Sequence, residues 1–166
     1  MNLSRYVIAI PIIIFFSAIF FMLSGEEVNQ PIRFNHNKHV EGEGMECSDC
    51  HHYYKTHANA GLPSAEDCAT CHSEAIGESP EEEKLIGLIG EERDLHWKRI
   101  FQIPKHVFFS HRRHTVLGLL ECDVCHGNMK GRTSPPQKKD NNLAMEFCME
   151  CHTNENVSND CLNCHR

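Results

Sequence analysis

Phe34-Asn35-His36-Asn37-Lys38-His39, followed by Cys47-Ser48-Asp49-Cys50-His51, recurs 75 residues later as Phe109-Ser110-His111-Arg112-Arg113-His114 and Cys122-Asp123-Val124-Cys125-His126. Self-similarity at a fixed offset outranks local propensity in setting architecture. The Cys-x-x-Cys-His part occurs three more times: as Cys68, Cys71 and His72, as Cys148, Cys151 and His152, and as Cys161, Cys164 and His165. Five motifs thus use all ten cysteines. This spacing is the covalent attachment signature of a c-type haem. The two thiols add to the vinyl groups, and the adjacent histidine supplies the proximal nitrogen to iron. The chain therefore reads as binding five haems, with His51, His72, His126, His152 and His165 as proximal ligands.

Two other uses of paired cysteines are weaker. Zinc ribbons also use Cys-x-x-Cys, but they do not require a histidine after every pair, and five pairs do not divide into four-thiolate sites. Disulfides fit an oxidising compartment, yet cysteines this close make poor bridges and would leave five histidines unexplained.

Tyr6 to Leu23 is apolar apart from Ser17, with Arg5 before it and Glu26 and Glu27 after it. As a helix the run is roughly 27 Å long, enough to span a bilayer core. The basic flank belongs on the cytoplasmic side. The expected location is thus the inner (cytoplasmic) membrane, single-pass, with the haem part on the periplasmic side. A cleaved export signal is the alternative; no Ala-x-Ala site ends the run. Roughly 140 residues remain for five haems, too few for a conventional core, so the haem faces have to serve as one. Charge is uneven: net −11 from Glu26 to Leu95 and net +3 from His96 to Arg166. Such asymmetry orients docking on a partner, with ordinary solvated faces as the plainer reading. An acidic, exported chain is not a nucleic-acid binder.

Four segments follow: an N-terminal transmembrane anchor over 1–25, a dihaem module over 26–77, a linker over 78–105 and a trihaem module over 106–166. The linker opens with Glu81, Glu82 and Glu83, read as a solvated acidic face. Leu85, Ile86, Leu88 and Ile89 then predict a short helix with one apolar side, weakened by Gly87 and Gly90. Residues 132–142 read as an exposed loop. The expected fold is mostly irregular with short α-helices, the haem motifs at helix starts, and little sheet beyond a small hairpin near Phe34 or Phe109.

Low-spin electron-transfer iron needs a second axial ligand. Eight histidines lie outside the motifs. The repeat selects His36, His39, His111 and His114, which precede each block in the same pattern. The fifth ligand stays open between Met145, three residues before Cys148, and His52, His57, His96 or His106. A thioether ligand raises the potential, although most methionines are core filler.

Phe-x-His-x-x-His ahead of Cys-x-x-Cys-His resembles the class III multihaem cytochromes. The longer stretches Gly61 to Ser73, Trp97 to Ile100, Pro104 to His114, Cys125 to Gly127 and Leu143 to Cys148 are similar to the membrane-anchored pentahaem cytochrome c subunits of alternative complex III and menaquinone reductase-type complexes. The resemblance covers nearly all of the extracytoplasmic part. It implies a class III-like fold built around five haems, and an electron-relay role between a polytopic membrane quinone-binding subunit, an iron–sulfur protein and a periplasmic electron carrier. It carries the distal role to His36, His39, His111 and His114 and makes Met145 a candidate for the fifth. The chain departs from the pattern at Phe101 and in having His52 and His57. On this reading the protein is not itself an enzyme. The competing readings are a stand-alone anchored quinol dehydrogenase and a multihaem reductase. The reductase requires an open iron site, which the surplus of histidines disfavours.

Overall fold

The computed structural model describes residues 28–91, 94–139 and 141–165. The apolar run read as a membrane anchor lies outside the described residues; among those described, no helix is long and apolar enough to cross a membrane.

Five short α-helices occur in the described chain: α1 (Ala65–Ala69), α2 (Pro80–Gly90), α3 (Asp123–His126), α4 (Met145–Asn154) and α5 (Cys161–Cys164). Their ends are written in the sequence. Ser64 caps α1, its hydroxyl accepting from the Asp67 N–H while Asp67 reaches back to the Ser64 N–H, a reciprocal arrangement that satisfies two otherwise unpaired donors. Pro80 opens α2 at its first position, where a missing N–H costs nothing. Cys161 opens α5, and Cys47 opens a single 3₁₀ turn (Cys47–Asp49). Cys68 and Cys148 lie inside their helices instead, and Cys71 falls just past the end of α1.

The expected hairpin is not there. Both Phe-x-His-x-x-His segments lead into π-helical turns, Lys38–Gly42 and Arg112–Leu117. The wide turns are closed by Glu43 N–H to Lys38 O at 3.1 Å and Gly118 N–H to Arg113 O at 3.0 Å, each spanning five residues. Such turns are rare and cluster at functional sites. Here they aim two histidines from one short stretch in different directions. The only pairing of extended backbone among the described residues is an isolated antiparallel bridge between Val107 and His165.

Buried apolar side chains in the described chain are few. Ile32, Leu85 and Leu95 form the centre, with Ala65, Cys68, Leu88, Ile89 and Trp97 packed around them. This cluster docks α2 of the linker on α1 of the first block. Trp97 Nε1–H donates to Pro63 O at 2.8 Å, and Gln30 bonds Lys98 through both its amide groups, at 2.8 and 2.9 Å. The two blocks also meet: Asn37 N–H donates to Arg132 O at 2.8 Å. Residues 132–142 are irregular, as expected, but tied down. Pro135 is buried, and the Asn141 amide donates to the carbonyls of Val124 and Cys125.

Candidate haem-binding site

The repeat is geometric as well as sequential. Phe34 meets the His36 ring edge-on at 4.8 Å and stacks on His39 at 4.4 Å; Phe109 does the same with His111 at 4.8 Å and His114 at 4.7 Å. His39 Nδ1–H donates to Asn35 O and His114 Nδ1–H to Ser110 O, both at 2.9 Å. Each phenyl ring is thus a wedge between two imidazoles that leave the chain in different directions.

Those imidazoles face the motif histidines. A first-row metal holds an imidazole nitrogen at about 2 Å and the ring centre lies about 1.1 Å beyond, so two rings on opposite sides of one iron have centres roughly 6 Å apart. The separations are 6.1 Å for His39 with His72, 6.3 Å for His111 with His126 and 6.2 Å for His114 with His152. Interplanar angles run from 5° to 55°; rotation about an iron–nitrogen axis is free, so the distance carries the argument. The Nδ1 of His36 is buried without a hydrogen-bond partner. Burial chiefly, then the charges of His51, His39 and Arg132, pulls the His36 imidazole down to about 4. His126 is likewise lowered by burial, then by His111 and His51.

A fourth ring pair has no counterpart in the repeat. His106 faces His165 at 5.6 Å with planes 21° apart. Met145 opens α4 and is 57% exposed. The other spare histidines are placed differently. His52 is engaged at both ring nitrogens, Nδ1 on Ser48 O and Nε2 on Asp67 Oδ1, each at 3.1 Å. His57 Nδ1 is 2.7 Å from Thr56 Oγ1, and His96 lines an open cleft with Asp94 and Arg99. Phe101, where the sequence departs from its family pattern, packs edge-on against His126 at 4.5 Å.

Backbone carbonyls decide the tautomers. Nδ1 of His51 meets Gly61 O at 2.8 Å, that of His111 meets Ala58 O at 2.6 Å, and that of His152 meets Ser158 O at 3.1 Å. A carbonyl only accepts, so the proton sits on Nδ1 and the Nε2 lone pair is free for a metal. Among the described residues no three His, Cys, Asp or Glu side chains converge as a bare-ion site; the histidines meet in pairs. Paired thiols beside a histidine, with a second imidazole about 6 Å away, are the donor set of a covalently attached, six-coordinate haem.

The attachment cysteines also neighbour one another. Cys68, pushed up to about 11, owes this to burial and then to Cys50. Its motif partner Cys71 is exposed instead, with the Thr70 hydroxyl 3.9 Å from its sulfur. The two thiols of the second motif therefore sit in different surroundings, one half-buried among the other motifs and one at the surface. Cys122 is raised by burial, then by the charge of Cys47, to which it is hydrogen-bonded. Burial followed by Cys151 raises Cys125, and burial followed by Cys164 raises Cys148.

Comparison with known proteins identifies the family. Residues 22–99 match the class III cytochrome c family, and residues 107–166 match cytochrome c7 and related cytochromes c. A curated relative is 34% identical over 161 aligned positions, covering 82% of this chain and 77% of its own length: the menaquinone reductase multihaem cytochrome c subunit of Nitratidesulfovibrio vulgaris. The chain belongs to the class III multihaem cytochromes c. Haem c is therefore its prosthetic group and electron transfer its chemistry.

Proposed function

We propose that this cytochrome carries five haems, each iron held between two histidines, and relays electrons as the extracytoplasmic subunit of a quinone-linked membrane complex. The carrying observation is that four of the five motif histidines have a second imidazole ring centred 5.6–6.3 Å away: His72 with His39, His126 with His111, His152 with His114 and His165 with His106; the repeat assigns His36 to His51 in the same way. When bound, the haems supply one-electron iron couples. The chain's own residues do the rest. The carbonyls of Gly61, Ala58, Ser158, Asn35 and Ser110 hold the imidazoles in one tautomer, and Phe34 and Phe109 keep neighbouring ligand rings apart. Two axial imidazoles leave no open position for a substrate, which favours relay over a reductase.

The second motif lies in the part of the chain with net charge −11 and the fifth in the part with net charge +3, so partners of opposite character suit the two parts. That the relative is a menaquinone reductase subunit supports partners in a membrane complex; those proposed are a polytopic quinone-binding subunit, an iron–sulfur protein and, beyond them, a periplasmic carrier. Residues 1–25 serve as the membrane anchor; native protein beginning at residue 26 or later would remove that part of the proposal. Purification of the complex from membranes in mild detergent tests the whole. Co-elution with a polytopic subunit, and menaquinone-linked reduction that needs it, is the expected result. Menaquinol oxidation by the isolated cytochrome would favour a stand-alone dehydrogenase instead.

A further inference from the structure

Within the acidic run Glu81–Glu83, Glu82 is not the solvated side chain that composition implies, whereas Glu83 is exposed. Glu82 is the third residue of α2, and side chains in a helix lean toward its N-terminus. Its carboxylate therefore points back over the chain before the helix. Oε1 accepts from the Ile76 N–H at 2.8 Å and Oε2 from the Gly77 N–H at 2.9 Å. Oε1 also meets His72 Nδ1 at 2.9 Å, with the Glu82 side chain only 10% exposed. Gly77 is what lets the loop close in: a Cβ there would stand 3.1 Å from Oε2. A glutamate carboxyl is ordinarily ionised near neutral pH, and two backbone N–H groups converge on this one.

Five other paired histidines, His51, His152, His39, His111 and His114, donate Nδ1–H to backbone carbonyls instead. A carbonyl is a dipole; a carboxylate is a full charge. A carboxylate behind a ligating imidazole makes the ring a stronger donor, and a stronger, more anionic donor stabilises ferric over ferrous iron.

We propose that Glu82 is a positioning residue that sets the iron site of the second motif apart, fixing the His72 ring and lowering the reduction potential of that site alone. This rests on the reading that His72 and His39 ligate one iron. The cytochrome then has a low-potential site in the acidic part of the chain, beside the helix of the linker. The linker thereby acquires a role beyond connecting two blocks.

The test is a spectroelectrochemical titration of the purified holoprotein and of Glu82→Gln, which keeps an acceptor near Nδ1 but removes the charge. One potential should rise by at least a tenfold change in its one-electron equilibrium, about 59 mV, with the other four unmoved and the haem content unchanged. His39→Ala identifies the site: it should turn one haem high-spin, and the haem affected must be the one whose potential moves. Where His39→Ala acts as expected but Glu82→Gln shifts nothing, the role of Glu82 is overturned and the ligand pair stands. Where His39→Ala leaves every haem low-spin, the ligand pair itself falls, and this inference with it. Should Glu82→Gln not accumulate with its full haem content, Gly77→Ala decides. It keeps the charge but presses the carboxylate away, so the same site rises by a smaller step, and five unchanged potentials refute the proposal.

Discussion

Replacing His106 by alanine isolates the one ligand pair that the repeat does not announce. The ring centre of His106 lies 5.6 Å from that of His165. The backbone carrying it is held independently: Val107 and His165 form an antiparallel bridge, Phe108 N–H donates to Cys164 O at 2.8 Å, and Val107 N–H to Pro104 O at 2.9 Å. The substitution therefore deletes an imidazole without releasing the segment. Iron that loses one of two strong axial ligands becomes high-spin and, once reduced, binds carbon monoxide. With five attachment motifs in the chain, the effect is confined to one fifth of the haem. The wild-type protein should bind no carbon monoxide and the variant one equivalent per chain, read from the difference spectrum after reduction. Electron paramagnetic resonance should show one new high-spin signal, and added imidazole should restore the low-spin state. Met145→Leu is the matched control and should change neither signal. A His106→Ala protein that stays wholly low-spin and inert to carbon monoxide refutes the reasoning; high-spin iron in Met145→Leu would place the ligand on sulfur.

Denaturing intact-mass measurement should give the polypeptide plus five haems, and a native mass with four or fewer would count against the pairing of all ten cysteines. Gly61→Ala should destabilise the holoprotein by about 1–3 kcal/mol in denaturant unfolding, the usual cost of forcing a side chain into a left-handed backbone position. Gly61 has φ +84°, and a Cβ there would lie 2.6 Å from the Tyr53 ring. Because the Gly61 carbonyl accepts from His51, the same variant should broaden the spectrum of the first haem; unchanged stability and spectra would contradict both. Leu85→Ala, at the centre of the small core, should cost about 2–5 kcal/mol and loosen α2, measurable as faster amide exchange there than in α4. His52→Asn should leave all irons low-spin, since both nitrogens of His52 are engaged elsewhere; a high-spin signal would return His52 to the ligand set.

Attachment was legible in the sequence because it is local. Two thiols and the next histidine must reach one porphyrin, so five residues carry the whole instruction, and no folding decision intervenes. The second motif shows this: Cys68 and Cys71 differ in burial, yet their spacing alone names their role. Phe-x-His-x-x-His keeps its spacing in both copies, so His36, His39, His111 and His114 stand out by repetition, and the structure sets His39, His111 and His114 about 6 Å from motif histidines. His106 had no such signal. It lies 59 positions before His165, and only the return of the chain to form the Val107–His165 bridge brings the two together. Met145 competed with it because it is near Cys148 in sequence, and sequence proximity says little about which face of a motif a side chain reaches.

The acidic run shows the same limit from the other side. Composition makes Glu81, Glu82 and Glu83 a solvated charge cluster, and a run of like charge ordinarily is one. The start of α2 at Pro80 turns Glu82 back toward Ile76, Gly77 and His72. The Leu85 side of the same helix holds it against the first block. The carbonyls that choose the imidazole tautomers left no trace in the sequence either, since every residue has one. Sequence alone determined the prosthetic group and how it is attached, through covalent chemistry of short reach. Tertiary structure decided which imidazoles oppose each other and what stands behind them, because those contacts depend on the path of a backbone whose groups are the same at every position.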